Sequence, residues 1–187
     1  TRLVRATHPR RRQRALRSLA TEPPPASLLF VCLGNVCRSP YAAVRALEIF
    51  ANGESNYSPD ITSAGFIKPG RGSPERAVEV AAERGLDLSE HTSRVLAECA
   101  VDNDTLVLVM EGGQVKGVRR AFGRDVRVLV LGDLDPELPN RRLIPDPWGH
   151  DIDVFRASFD RIDRCLSVLR STLSPRAAGP ERGQFRP

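Results

Sequence analysis

LLFVCLGNVCRSP, residues 28–40, is the stretch that decides the fold: an apolar run leads into a short polar loop and then into a helical pattern. Leu28 to Val31 has the length and apolar character of a buried strand in a parallel sheet. Gly34 and Asn35 tolerate the positive φ angles of a tight loop, and Pro40 suits the first turn of a helix. Because a loop that closes on a helix N-terminus directs backbone N–H groups inward, the stretch predicts an anion-binding loop.

Reactive and cationic side chains lie inside this loop. Cys32 stands at the end of the predicted strand, and Arg38 and Ser39 follow in the loop, just before the predicted helix. The helix N-terminus favours the thiolate form of the cysteine, and the arginine fork can hold two phosphate oxygens while sulfur attacks phosphorus. The alternative is a packed cysteine beside a phosphate that is bound without chemistry. We expect the phosphate to contact the whole loop, which consists of Leu33, Gly34, Asn35, Val36, Cys37, Arg38 and Ser39.

Strand and helix patterns alternate along the rest of the chain. This alternation predicts right-handed crossovers and a parallel sheet that is covered by helices on both faces. Helical patterns run from Pro40 to Ala51, from Ser73 to Gly85, after Gly113, and from Asp153 to Leu173. The predicted strands are Leu28 to Val31, Ile61 to Gly65, Thr105 to Met110 and Val126 to Leu131.

The loop resembles the phosphate loop of the low-molecular-weight protein tyrosine phosphatases. The resemblance covers about residues 28–173 and includes Ser63-Ala64-Gly65, the stretch from Gly85 to Ser89 with His91 and Arg94, and the stretch from Ile144 to Gly149. It implies an α/β three-layer sandwich with a four-stranded parallel sheet of order 2-1-3-4. It further implies a cysteine-dependent phosphatase that uses no metal and no organic cofactor.

The resemblance also assigns roles to single residues. Asp146, in the Pro-Asp-Pro-Trp segment, would be the general acid, with Cys32 and Arg38 as its catalytic partners. Phe66 or Ile67, together with Trp148, are candidates for the pocket wall; packing on the sheet is the alternative for Phe66 and Ile67, and anchoring of the loop is the alternative for Trp148. A hydrogen-bonded network that holds the phosphate loop in shape would consist of Asn35, Ser39, Ser63 and His91.

The net charge of +5 is concentrated in the tails. Residues 1–27 contain seven arginines and one acidic residue, and residues 174–187 contain three arginines and one acidic residue. The segment between them is mildly acidic, so the charge does not indicate nucleic-acid binding. We expect 1–27 to be an Arg/Pro-rich disordered extension, 28–173 the phosphatase domain and 174–187 a disordered tail. A short helix from Pro9, with Ala15, Leu16 and Leu19 on one side, is the alternative for the N-terminal segment.

The four cysteines, at positions 32, 37, 99 and 165, do not have the paired spacing of a zinc site. A thiolate nucleophile needs a reducing compartment, which favours the cytoplasm. No apolar run approaches the ~20 residues of a membrane span. We therefore expect a cytoplasmic monomer that acts on tyrosine-phosphorylated proteins, without nucleic acid and without a membrane span.

Phosphotyrosine hydrolysis through a cysteinyl-phosphate intermediate is the leading function, and three alternatives stay open. A thioredoxin-coupled arsenate reductase needs two further cysteines near the end of the third strand, and Met110 to Val118 contains none. A protein arginine phosphatase carries Thr at the position of Val36. A redox or phosphate-sensing module without turnover would use Cys32 and Cys37 as a reversible disulfide.

Overall fold

The computed structural model describes residues 2–52, 57–137 and 142–173, with side chains from residue 9 onward. Its four strands form one parallel sheet of order β2-β1-β3-β4, which confirms the predicted topology. The strands are β1 (Ser27–Cys32), β2 (Asp60–Gly65), β3 (Thr105–Val109) and β4 (Arg127–Val130).

Helices cover both faces of this sheet, as predicted. In β1, Leu28 and Phe30 belong to the larger core cluster, whereas Leu29 and Val31 point to the opposite face and belong to the smaller one. The helices are α1 (Arg2–Thr21), α2 (Arg38–Ala51), α3 (Glu75–Ala82), α4 (Gln114–Phe122) and α5 (Ile152–Leu173), with short 3-10 turns at Leu96–Glu98 and Leu131–Leu134. The larger cluster contains side chains of α1, α2, α3 and α5, and the smaller one contains a side chain of α4.

The topology of the sheet determines where the phosphate loop lies. The chain leaves β1 through α2 to reach β2 on one side, and it later crosses to β3 on the other side of β1. The carboxyl end of β1 is therefore the point where the strand order reverses, and open α/β sheets bind ligands in the crevice at such a point. Residues 33–37 lie there, between β1 and α2.

The N-terminal segment differs from the predicted disordered extension. Residues Arg2–Thr21 form α1, with Pro9 inside the helix. Ala15 and Leu19 are one helical turn apart and are buried in the larger core cluster, so this face of the helix contributes to the fold. The predicted tail 174–187 lies outside the described residues. Among the described helices, none combines the length and the apolar character that crossing a bilayer requires.

Candidate active site

The sulfur of Cys32 lies at the base of the phosphate loop. Cys32 is 3% exposed, and its Sγ accepts hydrogen bonds from the backbone N–H of Asn35 at 3.2 Å and from the hydroxyl of Ser39 at 3.1 Å. Two hydrogen-bond donors thus converge on one sulfur atom. The loop turns through Asn35, whose φ is 51°, while Gly34 does not adopt a positive φ, in contrast to our expectation for that glycine.

The side chain of Asn35 ties the loop to its surroundings. Its Nδ2 donates to the hydroxyls of Ser39 at 3.0 Å and Ser63 at 2.9 Å, and its Oδ1 accepts from the backbone N–H of Arg94 at 3.0 Å. The carbonyl oxygen of Asn35 lies 2.7 Å from Nε2 of His91. Burial lowers the pKa of His91. Because a carbonyl oxygen can only accept a hydrogen bond, Nε2 is the ring nitrogen that donates. The structure thus brings together all four residues predicted to support the loop.

Gly65, at the end of β2, lets this strand approach the loop closely. A Cβ at this position would lie 2.8 Å from the backbone nitrogen of Asn35 and 2.9 Å from the carbonyl oxygen of Leu33. The neighbouring N–H of Phe66 donates to the same Leu33 carbonyl at 2.8 Å. Any side chain at position 65 would therefore push the phosphate loop away from β2.

Arg38 connects the loop to the predicted acid. Its side chain is almost fully buried, and Nη2 contacts Oδ2 of Asp146 at 2.5 Å. Nη1 donates to the carbonyl oxygen of Ile144 at 3.1 Å and lies 3.9 Å from Oε1 of Glu111. The structure therefore brings Cys32, Arg38 and Asp146 to one site, as the sequence predicts.

Side chains of α5 hold the segment that carries Asp146 by binding its backbone carbonyl groups. Nη1 of Arg161 donates to the carbonyl of Leu143 at 2.6 Å, and the hydroxyl of Ser158 donates to the carbonyl of Pro145 at 3.0 Å. Arg161 is buried and also forms an ion pair with buried Asp135 at 2.8 Å. Sequence reasoning missed these two anchors on α5. The sequence does contain an indication of both, because each is a polar residue at a position of α5 where the apolar stripe of the helix predicts burial.

The cleft above Cys32 has a volume of about 300 Å³. Leu33, Ile67 and Trp148 give it an apolar rim, and each of these side chains is at least 40% exposed. Trp148 therefore lies at the pocket, as predicted. The lining residues are Cys32, Leu33, Gly34, Val36, Cys37, Arg38, Ile67, Lys68, Arg71, Asp146 and Trp148.

Phe66 is not among these lining residues, so its prediction as pocket wall is wrong. Its ring packs with the smaller core cluster on the other side of the sheet and covers Gly117 of α4. A Cβ at Gly117 would lie 2.6 Å from this ring. The neighbouring residue Ile67, the other candidate, lines the cleft instead.

Arg71 is a pocket residue that sequence reasoning missed. Its Nη2 donates to the carbonyl of Gly34 at 2.8 Å, and its Nε donates to the carbonyl of Lys68 at 3.0 Å. Lys68 itself has a φ of 47°, which bends this segment over the phosphate loop. Two cationic side chains therefore stand beside the cleft in addition to Arg38.

The other cysteines differ from Cys32 in their environment. Cys37 is 2% exposed, and burial, together with the nearby Cys32 and Asp146, raises the pKa of its thiol. Burial also raises the pKa of Cys99 and of Cys165, which belong to the two core clusters. Raised pKa values keep these three thiols protonated and poorly nucleophilic, whereas the sulfur of Cys32 accepts the two hydrogen bonds at the base of the loop.

This arrangement can perform one kind of chemistry well. A hydrogen-bonded sulfur, an arginine fork and a carboxylate surround a cleft at a helix N-terminus, which suits transfer of a phosphoryl group to sulfur. The class of protein that such a site defines is a cysteine-dependent phosphatase.

Comparison with known proteins agrees with this class. The model of the family described as low molecular weight phosphotyrosine protein phosphatase matches residues 27–177. A probable low molecular weight protein-tyrosine-phosphatase, EpsP of Ralstonia nicotianae, is 32% identical over 140 residues, which cover 74% of this chain and 89% of EpsP. The low molecular weight phosphotyrosine protein phosphatase of Sus scrofa is 30% identical over 155 residues, which cover 76% of this chain and 92% of the Sus scrofa protein.

A solved structure extends the comparison. The YwlE arginine phosphatase from Geobacillus stearothermophilus superposes with a TM-score of 0.65 at 29% identity, covering 80% of this chain and 93% of that one. The chain therefore belongs to the low molecular weight protein tyrosine phosphatase family, and the predictions of this family and of a hydrolase are confirmed. Helix α1 lies outside the matched residues.

Proposed function

We propose that Cys32, Arg38 and Asp146 hydrolyse phosphotyrosine in protein substrates through a cysteinyl-phosphate intermediate. The observation that carries the proposal is the convergence of these three side chains on one cleft, in which Nη2 of Arg38 lies 2.5 Å from Oδ2 of Asp146. Each of them supplies a function that the reaction needs: a nucleophile, an oxyanion clamp and a proton carrier.

In the first step, the sulfur of Cys32 attacks phosphorus, the S–P bond forms and the bond from phosphorus to the tyrosyl oxygen breaks. The phosphate oxygens bind the guanidinium of Arg38 and the N–H groups of the loop. Because the phosphate competes for the same guanidinium, it displaces the carboxyl group of Asp146 toward the leaving oxygen. Asp146 then donates its proton to that oxygen, and tyrosine leaves as a neutral phenol.

In the second step, Asp146 has become a carboxylate and accepts a proton from water. The oxygen of this water forms a bond to phosphorus, and the S–P bond breaks. Inorganic phosphate leaves, and the thiolate of Cys32 is restored. The N–H of Asn35 and the hydroxyl of Ser39 stabilise this thiolate as a leaving group, since both hydrogen-bond to it.

The shape of the cleft supports an aryl phosphate as substrate. The sulfur lies at the base, and the rim consists of Leu33, Ile67 and Trp148, which can contact the two faces and the edge of a phenyl ring. Phosphoserine is too short for its phosphate to reach the sulfur while its backbone stays outside such a rim. The cationic groups of Lys68 and Arg71 stand beside the cleft and would repel the guanidinium of phosphoarginine.

We propose the following molecular context for this activity. Residues 28–173 form the phosphatase domain, and the substrates are tyrosine-phosphorylated proteins. The protein acts as a monomer in the cytoplasm, where a reducing environment keeps the thiol of Cys32 free. Phosphate transfer uses side chains and backbone N–H groups of this chain.

The test is the release of phosphate from peptides that differ only in the phosphorylated residue. With a chelator present, we expect turnover of the phosphotyrosine peptide, and at least about a hundredfold lower kcat/KM for the phosphoserine and phosphoarginine peptides, a discrimination within reach of pocket contacts. Cys32→Ser serves as the control for contaminating phosphatase. A preference for phosphoarginine, or dependence on added thioredoxin with arsenate as substrate, would reject the proposal.

A further inference from the structure

A second, basic groove lies between α1 and α4. It has a volume of about 690 Å³, and the short edge strand β4 forms its floor through Val128 to Val130. Helix α1 is fixed there by the buried Ala15 and Leu19, by a 3.4 Å hydrogen bond from Nε of Arg12 to the carbonyl of Leu134, and by an ion pair from Glu22 to Arg127. The groove therefore exists only because α1 docks on the domain.

The walls of this groove carry an excess of positive charge. The only acidic residue among its described lining residues is Asp133, which is neutralised by a bidentate ion pair with Arg142 at 2.7 to 3.2 Å. Within the described parts of the chain, the remaining cationic side chains form no ion pair. These side chains are Arg11 and Arg14 of α1, and Lys116 and Arg119 of α4.

The groove comes close to the phosphatase site. Gly112 lines the groove, and the preceding residue, Glu111, has its carboxylate 3.9 Å from Arg38. An occupant of the groove could therefore belong to the same molecule that presents a phosphate to Cys32. The floor also favours a polypeptide, because β3 is the single neighbour of β4 among the strands of the described residues, and the outer edge of β4 can accept an added strand.

Other polyanions fit this groove less well. Single-stranded nucleic acid is held by stacking of bases on aromatic side chains, and none of the described residues that line the groove is aromatic. A membrane surface is flat, whereas these cations face each other across a concave groove between two helices.

We propose that the groove between α1 and α4 is a docking site for an acidic segment of the phosphotyrosine protein that the enzyme dephosphorylates. Glutamate and aspartate side chains of that segment pair with Arg11, Arg14, Lys116 and Arg119. This docking raises the local concentration of phosphotyrosine at Cys32, so it acts on kcat/KM for acidic substrates and leaves small substrates unaffected. The inference rests on the proposed function for its substrate class.

The experiment uses the full chain and two sets of phosphotyrosine peptides. One set carries a glutamate tract and the other an equal glutamine tract, each separated from phosphotyrosine by Gly-Ser spacers of increasing length. The groove variant combines Arg14→Glu with Arg119→Glu. The matched control combines Arg17→Glu with Arg120→Glu, which makes the same change of charge at exposed positions of the same two helices outside the groove.

For wild type and the control variant, we expect kcat/KM for the best glutamate peptide to exceed that of its glutamine partner about tenfold at low ionic strength. The groove variant should bring this ratio close to one, with unchanged turnover of p-nitrophenyl phosphate. An equal ratio in all three proteins would reject the docking site while leaving the phosphatase function intact.

Binding of an unphosphorylated, fluorescent glutamate peptide tests the groove independently of catalysis. Its anisotropy should show binding to wild type and to the control variant, with loss in the groove variant. If no phosphopeptide is hydrolysed, the proposed function fails and this measurement still decides the groove. Binding of a single-stranded oligonucleotide or of anionic vesicles that depends on Arg14 and Arg119, without binding of the glutamate peptide, would overturn the proposal.

Discussion

The phosphate loop and the segment that carries Asp146 meet at one cleft but are built differently. In the loop, Cys32 and Arg38 are 3% and 1% exposed, and Asn35 hydrogen-bonds to the sulfur of Cys32 and to the hydroxyls of Ser39 and Ser63. In the other segment, the side chain of Asp146 is 42% exposed and Trp148 is 55% exposed. Ser158 and Arg161 hold backbone carbonyl groups of this segment.

The difference separates two parts of catalysis. In the proposed mechanism, the buried loop provides the nucleophile and the anion-binding groups in a fixed geometry, and these groups act on every phosphate monoester. The exposed carboxyl group is free to exchange partners between Arg38 and the leaving oxygen, so its contribution depends on the leaving group. Substitutions in the two regions should therefore differ in substrate dependence as well as in size.

The largest effect is expected for Cys32→Ser. Loss of the thiolate should lower kcat for p-nitrophenyl phosphate by more than about 10⁴-fold, as removal of a nucleophile typically does. Binding of phosphate, measured by calorimetry, should persist because backbone N–H groups and Arg38 make the contacts. Activity near that of wild type would contradict covalent catalysis.

Arg38→Lys should cost about 10²–10³ in kcat/KM although it keeps the charge, because an ammonium group cannot bridge two phosphate oxygens in a planar fork. The loss should be equal for phenyl phosphate and p-nitrophenyl phosphate. A variant within twofold of wild type would show that the fork is not required.

Asp146→Ala, in contrast, should affect phenyl phosphate and p-nitrophenyl phosphate to different extents. With phenyl phosphate, whose leaving group needs a proton, we expect a loss of about 10²–10⁴, and a much smaller loss with p-nitrophenyl phosphate. The chemical step is compared in both cases by rapid mixing. Glu111→Gln, which changes the other carboxylate near Arg38, is the control; a leaving-group dependence in that variant instead would place the acid at Glu111.

Asn35 tests the rigidity of the loop. Asn35→Ala removes three side-chain hydrogen bonds and imposes a left-handed conformation on alanine, and we expect it to lower the free energy of unfolding by about 3 kcal/mol. Asn35→Gly loses the same hydrogen bonds but tolerates a φ of 51°, so it should be about 1 kcal/mol more stable than the alanine variant. Denaturant unfolding measures both. Equal stability of the two variants would exclude backbone strain.

The smallest effect concerns His91, whose pKa is lowered by burial. The unfolded chain therefore binds this proton more readily than the folded protein, so the contribution to stability is present above the ordinary pKa of histidine and declines as pH falls through the lowered pKa. In His91→Gln, where the amide nitrogen can still donate to the carbonyl of Asn35, this part of the pH dependence should disappear. If the free energy of unfolding changed equally with pH in both proteins, this linkage would be ruled out.

The fold was predictable where local patterns and the resemblance agree. Leu28 to Val31 reads as a buried strand, Cys32 and Arg38 follow within one loop, and the strand order is confirmed. The roles of Cys32, Arg38 and Asp146 stay predictions, although the structure places them together. Local order along the chain sufficed for Cys32 and Arg38 because the loop is contiguous in sequence, whereas Asp146 was assigned through the resemblance.

The errors came from tertiary contacts that no local pattern contains. Phe66 turns away from the cleft because Gly117 on a distant helix leaves room for its ring. The Arg-rich segment forms a helix because Ala15 and Leu19 find a place in the core, which its composition alone does not reveal. Arg161 was missed because a buried arginine is interpretable only when its partner, Asp135, is known.

The central claim is that phosphate passes through the sulfur of Cys32, and trapping that intermediate tests it most directly. Asp146→Ala lacks the base for the second step, so during turnover of p-nitrophenyl phosphate it should accumulate the cysteinyl phosphate. Phosphorus NMR of the protein after quenching in alkali, followed by peptide mapping, should show a phosphoryl group on the sulfur of Cys32. Release of p-nitrophenol without any covalent phosphoryl group, or a phosphoryl group on another residue, would contradict the account.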